Sequence, residues 1–254
     1  MNSLSDLKMN IISSGSKGNS TIIWDGEDAI VIDFGISMKR FNNRIQEIDA
    51  QFSNISVVIT HEHGDHASGL PVASRRLKGD IYLREKTRNA MKFDRSYVMG
   101  DDLCVGNFYI RAIPVSHDAV DPVGYIVEHK GRKISTFSDL GYFPMKYADE
   151  VAGSNIIAIE ANHDTEMLRT GPYSEHLKRR ISSDYGHMSN EQAALALEQI
   201  SGENTNIVLI HLSDENNTPE IAYKHVRDHL VNRDIKFRSI ECAKQVYGSP
   251  VFEV

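Results

Sequence analysis

Apolar residues along the chain occur in short runs that alternate with helical repeats. Short runs rich in β-branched residues and bounded by Gly, Asp, Asn or Ser are typical of strands. They predict strands at Met9–Ile12, Thr21–Trp24, Ala29–Asp33, Ile55–Ile59, Asp80–Leu83, Phe108–Ile113, Tyr125–Glu128, Lys133–Phe137, Ile156–Ile159, Ile207–Ile210, Ile235–Ile240 and Gln245–Phe252. Apolar residues three and four apart predict helices at Ser37–Ile48 and Ser68–Leu77. Capping signals begin two more helices, at Ser189 and at Thr218.

The order of these elements predicts one α/β domain that spans residues 1–254. Strands fall into two groups interleaved with helices, and we find no repeat, linker or low-complexity tract between them. A chain of 254 residues with 41% hydrophobic residues can bury a sizeable core, which excludes a disordered protein.

Composition and charge narrow the class of protein further. No apolar run reaches the ~18 residues that a membrane span needs, and Met1–Asp6 lacks the basic cluster of a signal peptide. The two cysteines, Cys104 and Cys242, are far apart, which argues against a disulfide scaffold. We therefore expect a cytoplasmic protein with no membrane partner. The net charge of −7 does not indicate nucleic-acid binding, although a binding site depends on local rather than total charge.

One segment joins a buried strand to a loop that is crowded with metal-binding side chains. Ile55–Thr60 leads directly into His61-Glu62-His63-Gly64-Asp65-His66. Imidazole and carboxylate groups suit zinc, manganese or iron. His61 and His63 can bind one ion, and Asp65 and His66 can reach a neighbouring one. The alternative, a polar loop with chance histidines, is poorly consistent with this position after a strand.

Three further candidate ligands each follow a predicted strand: His117, Asp139 and His211. Strand ends at one edge of a sheet are where α/β proteins assemble their sites. Each residue alone would more often be an ordinary hydrogen-bonded polar group. Together with the segment from His61 to His66, they predict a site for two metal ions.

These motifs, in this order, resemble the metallo-β-lactamase-fold hydrolases over nearly the whole chain. The resemblance implies an α/β fold of four layers, an αββα sandwich with two mixed sheets packed face to face between helices. It also implies ligands: for the first metal His61, His63 and His117, for the second Asp65, His66 and His211, and bridging both Asp139. Asp33 matches an acidic residue that braces the metal loop through hydrogen bonds. The cofactors would be two divalent ions, and Zn²⁺, Mn²⁺ and Fe²⁺ suit these ligands alike.

Local features favour the phosphodiesterase and nuclease branches of that family. Neither cysteine lies at a motif position, whereas many β-lactam hydrolases use a cysteine ligand. The segment 186–194 resembles one in which a histidine faces the scissile phosphate, which implies a catalytic role for His187 beside a helix N-terminus that favours an anion. The alternative is a histidine that only packs at the helix entry. Glu160 and His163 add ionisable groups at the same edge, where functional and structural roles are equally consistent.

In particular, the sequence resembles the YycJ/WalJ group of this family. The matching runs are 13–20, 60–69, 114–118, 137–141, 160–164, 186–190 and 211–217. The resemblance implies a 5′→3′ DNA exonuclease, hence DNA as a partner, and leaves the oligomeric state open. Two alternatives remain: a hydrolase of small cyclic phosphodiesters or thioesters, and a metal-stabilised, non-catalytic partner of a cell-wall signalling system.

The resemblance also implies a mechanism. Two bound ions would lower the pKa of a water from 15.7 toward ~7, which would supply hydroxide for attack on phosphorus in line with the leaving oxygen. Asp65 would orient the hydroxide, and His187 or His163 would protonate the leaving oxygen.

Contacts to the substrate are less well defined by the sequence. Ser16, Lys17 and Asn19 lie on a turn that either only closes a hairpin or reaches the rim and binds phosphate. Basic clusters at 75–78, 84–88 and 178–180 are typical of solvated helix faces, and would otherwise line a groove for DNA.

Overall fold

Two β-sheets follow the apolar runs of the sequence. The computed structural model describes residues 7–246 and 248–254, and within them each sheet has seven strands. The first sheet contains β1 Lys8–Ser13, β2 Ser20–Asp25, β3 Asp28–Ile32, β4 Asn54–Val58, β5 Ile81–Arg84, β6 Tyr97–Met99 and, at the end of the chain, β14 Phe252–Glu253. The second contains β7 Asp102–Val105, β8 Phe108–Pro114, β9 Val123–His129, β10 Arg132–Phe137, β11 Ile156–Glu160, β12 Asn206–Ile210 and β13 Ser239–Cys242.

Helices connect the strands and cover the outer faces of the sheets. They are α1 Met38–Glu47, α2 Gly64–Ala67, α3 Leu70–Arg76, α4 Glu85–Met91, α5 Ala148–Val151, α6 Thr165–Thr170, α7 Glu175–Ile181, α8 Asn190–Ile200 and α9 Pro219–Asn232, with a 3₁₀ turn at Met145–Tyr147. Among the residues described, no helix has the length and apolar character needed to cross a membrane.

Strand direction brings many loops to one edge of the sandwich. The first sheet has the order β14-β1-β2-β3-β4-β5-β6, and its strands are parallel from β3 to β6. The second has the order β13-β12-β11-β10-β9-β8-β7, with β10 to β13 parallel. Because β9 is antiparallel to both β8 and β10, β8 runs in the same direction as β10. The carboxyl ends of β8, β10, β11 and β12 therefore share one edge, where α/β proteins place their sites.

Alternation along the strands divides the core into three apolar layers. Ile23 and Ile30 face the second sheet, whereas their neighbours Ile22 and Val31 face α1 and α3. The outer face of the second sheet packs on α8 and α9, through residues such as Leu197. Complete burial of one such side chain contributes roughly 1.5–3 kcal/mol. The expected four-layer αββα sandwich is thereby confirmed.

The two predicted closing strands differ from the structure. The strand predicted at Ile235–Ile240 is observed at Ser239–Cys242, because β12 offers partners only from residue 206 onwards, and Asn206 pairs with Ser239. Ile235 and Phe237 instead pack against the outer apolar layer without joining the sheet.

The strand predicted at Gln245–Phe252 is reduced to β14. The carbonyl oxygens of Gln245 and Ser249 accept hydrogen bonds from Arg40 and Arg44 rather than from a strand ladder. Tyr247, inside that prediction, and Met1–Asp6, on which the signal-peptide expectation rests, lie outside the described residues.

Candidate metal centre

Three candidate residues of the centre adopt left-handed backbone at strand ends. Asp33 follows β3, Asp139 follows β10 and His211 follows β12, with φ of 62°, 55° and 56°. Such a conformation costs a non-glycine residue of order 1–3 kcal/mol and concentrates at functional sites. The turn it creates directs each side chain back across the edge of the sheets.

The segment after β4 contributes four side chains through a single helical turn. His63 is the N-cap of α2, which contains Asp65 and His66. The helix packs directly on Gly35. A Cβ atom at this position would lie only 1.6 Å from the carbonyl oxygen of Asp65, so the close approach needs glycine. His61 precedes the turn, and its Nε2 lies 3.1 Å from Nδ1 of His63.

The structure brings the seven candidate ligands into two adjoining groups. Each group has its potential ligand atoms within 4.8 Å of one another: one consists of His61, His63 and His117, the other of Asp65, His66, Asp139 and His211. Asp139 reaches both groups: its Oδ2 is 3.0 Å from Nε2 of His66, and its Oδ1 is 3.5 Å from Nε2 of His211 and 3.9 Å from Nε2 of His117. The structure thus brings the seven side chains together, and their division between two metal ions stays a prediction.

A buried network holds the imidazoles in place. Asp33 Oδ2 lies 2.7 Å from Nδ1 of His66 and also accepts a hydrogen bond from the Thr60 hydroxyl. That hydroxyl is 3.0 Å from Nδ1 of His61. His117 Nδ1 lies 3.2 Å from the carbonyl oxygen of Gly186. Because Nδ1 of these rings is held by a polar neighbour, Nε2 of His61, His66 and His117 faces the centre. Metal-binding histidines are typically oriented in this way, by a hydrogen bond to the ring nitrogen that does not bind the metal.

Glu160, at the end of β11, contacts two further imidazoles. Its Oε1 lies 2.7 Å from Nδ1 of His187 and 2.9 Å from Nδ1 of His211. Burial opposes its ionisation, but the charge of His187 and the hydrogen bonds from both histidines outweigh burial and hold the pKa of Glu160 at about 2. Glu160 is thus a carboxylate that orients one candidate ligand and one candidate catalytic residue.

Charges in the centre depend on one another. Burial disfavours the protonated form of His66, but the charges of Asp139 and Asp33 outweigh it and hold the pKa of His66 well above its usual value. At His211, burial is likewise outweighed, chiefly by Asp139, which raises its pKa to about 10. Burial opposes ionisation of Asp139, yet the charges of His211 and His66 hold its pKa well below the usual range. The buried carboxylates therefore require positive charge, which a divalent ion supplies in place of protons.

Two buried polar atoms provide a direct test of fit for a cation. Nε2 of His211 and Oδ2 of Asp139 have no hydrogen-bond partner in the described part of the chain, since the short contact of Oδ2 with His66 lacks hydrogen-bond geometry. Leaving such a group unpaired costs about 1–3 kcal/mol. Both atoms belong to the second ligand group, and coordination to a divalent ion would satisfy them. The donor set of histidines and aspartates therefore fits the implied metals.

The remaining predicted residues occupy different surroundings. Asn19 is buried, and its Nδ2 lies 2.9 Å from Nε2 of His66. Lys17 forms an exposed ion pair with Asp214, with 2.8 Å between Nζ and Oδ2, and Ser16 is exposed on the same turn. His163 is buried, its Nδ1 has no hydrogen-bond partner among the described residues, and burial lowers its pKa to about 4.

Several supporting residues were missed by the sequence reasoning. Besides Thr60, the hydroxyl of Ser14 accepts a 2.7 Å hydrogen bond from the backbone of His211. The side-chain amide of Asn162 donates to the carbonyl oxygen of His211 at 2.9 Å. In the sequence, each of these residues is only a short polar residue next to an apolar run. Many turns share this pattern, so it does not indicate a supporting role. Both contacts stabilise the left-handed backbone that directs His211 inward.

Comparison with known families identifies the fold. The profile of the Beta-lactamase superfamily domain matches residues 29–212, a range that contains the seven candidate ligands. The chain belongs to the metallo-β-lactamase superfamily. As a metallo-β-lactamase-fold protein with this His and Asp cluster, it is a metal-dependent hydrolase, which confirms the expected enzyme class.

Relatives of this metallo-β-lactamase-fold chain cover almost its full length. It is 36% identical over 235 residues to the exodeoxyribonuclease YycJ of Bacillus anthracis, which covers 88% of this chain and 89% of that protein. It is 37% identical over 241 residues to the exodeoxyribonuclease WalJ of Streptococcus pneumoniae strain D39, with 90% of each chain covered. In structure, it matches the metallo-β-lactamase-fold protein YhfI of Bacillus subtilis with a TM-score of 0.72 at 13% identity, over 98% of this chain and 100% of that one. The expected YycJ/WalJ-like character is thereby confirmed.

Proposed function

We propose that the protein is a dinuclear, metal-dependent phosphodiester hydrolase that degrades DNA from its end, in the 5′→3′ direction. The names of the two similar exodeoxyribonucleases support DNA as the substrate. The position of Asp139 is the observation that carries the dinuclear proposal, because its carboxylate lies within 4 Å of imidazoles from both ligand groups. A carboxylate so placed can hold two cations close together, and such pairs of cations stabilise the attacking and leaving oxygens of an in-line displacement at phosphorus.

The division of roles follows from the contacts in the centre. His61, His63 and His117 would hold one ion, Asp65, His66 and His211 the other, and Asp139 both. When bound, the ions supply Lewis acidity, which lowers the pKa of water and stabilises charge on the phosphate oxygens.

His187 is our candidate for the residue that donates a proton to the leaving oxygen. Its Nδ1 is held by Glu160 at 2.7 Å, and its side chain is 20% exposed. Among the described residues, Nε2 of His187 has no hydrogen-bond partner, so this atom can meet a substrate oxygen. His163 is only 2% exposed and is therefore less accessible from solvent. Its carbonyl oxygen instead accepts a hydrogen bond from the amide of Asn190, at the start of α8.

Degradation of end-labelled DNA tests the proposal. Metal-loaded protein is incubated with Mn²⁺ and duplexes that carry a fluorophore on the 5′ or the 3′ end of one strand. We expect a labelled mononucleotide from the first at early times and a ladder of shortened strands from the second. His63→Ala should abolish both, whereas His225→Ala, an exposed position on α9, should retain them.

Three results would contradict the proposal in different ways. Mononucleotides released first from the 3′ end would reverse the polarity. Rapid turnover of bis-p-nitrophenyl phosphate or a thioester without action on DNA would favour the small-molecule alternative. Full metal loading without turnover of DNA, RNA or cyclic nucleotides would leave only a non-catalytic, metal-stabilised protein.

A further inference from the structure

A second pocket lies beside the metal centre. It has a volume of about 510 Å³ and is walled by three loops, each of which continues into a residue of the centre. Ser116 precedes His117, and Tyr185 lies two residues before His187. Tyr142 lies three residues after Asp139. Because consecutive Cα atoms are about 3.8 Å apart, each wall of the pocket lies within about 11 Å along the chain of a candidate residue of the centre.

Backbone hydrogen bonds fix the three loops against one another. The amide of Gly141 donates to the carbonyl oxygen of Ser116 at 2.8 Å, and the amide of Asp118 donates to the carbonyl oxygen of Tyr185 at 3.1 Å. A Cβ atom on Gly141 would lie 2.1 Å from the carbonyl oxygen of Asp184, so only glycine permits this approach. The pocket is therefore a preformed surface rather than a gap between loose segments.

The exposed rim of the pocket is aromatic and apolar. Tyr142, Met145 and Tyr185 are 48%, 48% and 64% exposed, although large apolar side chains are usually buried. Lys146 adds a cation at the same rim, with Nζ 4.7 Å from the centre of the Tyr147 ring. Two aromatic faces with an adjacent ammonium group are the combination that binds single-stranded nucleic acid, because bases stack on the rings while the cation attracts the backbone.

We propose that this pocket binds the nucleobase adjacent to the scissile phosphate, by stacking on Tyr142 or Tyr185. The inference rests on the proposed DNA hydrolase function and adds the form of the substrate. A base in the pocket has left the duplex stack, so the preferred end is single-stranded or frayed. Stacking on a tyrosine does not distinguish one base from another, so degradation proceeds through any sequence.

The pocket also explains how the enzyme engages a strand although its net charge is −7. Stacking contributes about 1–3 kcal/mol per base and does not depend on a basic surface. Stacking therefore positions the phosphate next to the centre even though long-range electrostatic attraction between the protein and DNA is weak.

Oligonucleotides with a missing base test this inference on the metal-loaded, unmodified enzyme. Single strands are compared that differ only in an abasic tetrahydrofuran at one or the other nucleotide flanking the first scissile bond. Loss of one stacked base should lower kcat/KM about tenfold for one of these substrates, since 1.4 kcal/mol is a factor of ten. A blunt duplex should be degraded more slowly than the same strand alone.

Variants then assign the effect to the pocket. Tyr142→Ala or Tyr185→Ala should lower kcat/KM on the intact strand to the level of the abasic strand, while the bound metal content stays at the wild-type level. The corresponding phenylalanine variants should retain activity, because stacking needs the ring and not the hydroxyl. Tyr223→Ala, an exposed tyrosine of α9, is the matched control.

The outcomes separate this inference from the proposed function. If the metal-loaded enzyme does not degrade DNA at all, the proposed function fails and the base pocket fails with it. If DNA is degraded but abasic and intact ends react at the same rate, or neither alanine variant responds, only the base pocket is refuted.

Discussion

Glu160 is completely buried and yet keeps its charge, because two imidazoles share its carboxylate. One of them, His211, belongs to the second ligand group, and the other, His187, lies with Glu160, Asp139 and His211 in a further cluster of possible ligand atoms. A single side chain thus sets the orientation of a metal-binding ring and of the proposed proton donor. Partners of this kind typically change metal affinity or activity by 10–100-fold when they are replaced.

Glu160→Gln should therefore lower both metal affinity and DNA hydrolysis by about 10–100-fold. The amide of glutamine is uncharged, so its oxygen accepts hydrogen bonds from the two imidazole rings more weakly than the carboxylate does. Metal content after dialysis and kcat/KM measure the two effects. Glu198→Gln is the matched control, since Glu198 contacts His229 at the same 2.7 Å on a surface remote from the centre. Equal losses in the two variants would show that Glu160 acts only on general stability.

The two cysteines should differ in reactivity. Burial, followed by the charge of Glu241, raises the pKa of Cys242 to about 12, whereas Cys104 is exposed. A raised pKa keeps the thiol neutral until the pH approaches that value, so Cys242 should react slowly with iodoacetamide at pH 8. Mass spectrometry should show one rapidly modified thiol, absent in Cys104→Ala. A fast thiol that persists in this variant would contradict the assignment.

At the scale of elements, α8 connects the centre to the core. Its capping box is complete, because Ser189 accepts from the amide of Gln192 at 3.2 Å and the Gln192 side chain accepts from the amide of Ser189 at 2.8 Å. Its N-cap Ser189 lies two residues after His187, and the helix buries Leu197 and Ile200. Its first turn therefore fixes the position of the proposed proton donor.

Ser189→Ala should reduce the free energy of unfolding by about 1 kcal/mol, the usual cost of losing an N-cap side chain. Urea denaturation measures the change in midpoint. Ser174→Ala removes the equivalent cap from α7, which buries none of its own residues, so its loss should cost less. A larger effect at Ser174 would indicate that α7 supports the fold more than its exposure suggests.

Strands and helices with a regular hydrophobic repeat were predictable from the sequence. Elements whose bounds depend on contacts with distant segments were not. Strands such as β3 and β12 and helices such as α1 and α8 occur where predicted, because period and caps are local properties. The helices α4 to α7 have only four to seven residues, too few to establish a helical repeat. The length of β13 depends on β12, and the form of 245–249 depends on two distant arginines.

At the scale of the whole molecule, the clustering of the candidate ligands was predictable, but many of the contacts that support them were not. His61, His63, Asp65 and His66 form a compact motif in sequence, and the strand ends made the other three candidates recognisable. The contacts of Thr60, Ser14 and Asn162, and the pocket between three loops, arise only when distant segments meet. Tertiary neighbours, rather than local pattern, decide such roles.

Removal of metal should destabilise the whole sandwich, because buried atoms of Asp139 and His211 then lack partners. Ligand at 100 times its Kd stabilises the folded state by about 2.7 kcal/mol. For a chain of this size that corresponds to roughly 5–10 °C in Tm. Calorimetry of chelator-treated and Zn²⁺- or Mn²⁺-reloaded protein measures the difference, and Asp139→Asn should show little gain on reloading. Identical melting of treated and reloaded wild-type protein would contradict the metal proposal.

The candidate ligands come from both sheets. The loop after β4 contributes four of them, and the strands β8, β10 and β12 of the second sheet lead to the other three. Neither ligand group is complete until the sheets have docked, and His211 emerges only after β12 has been synthesised. A truncated or half-assembled chain therefore lacks a complete ligand group, so metal-dependent hydrolysis has to wait until the whole domain has folded.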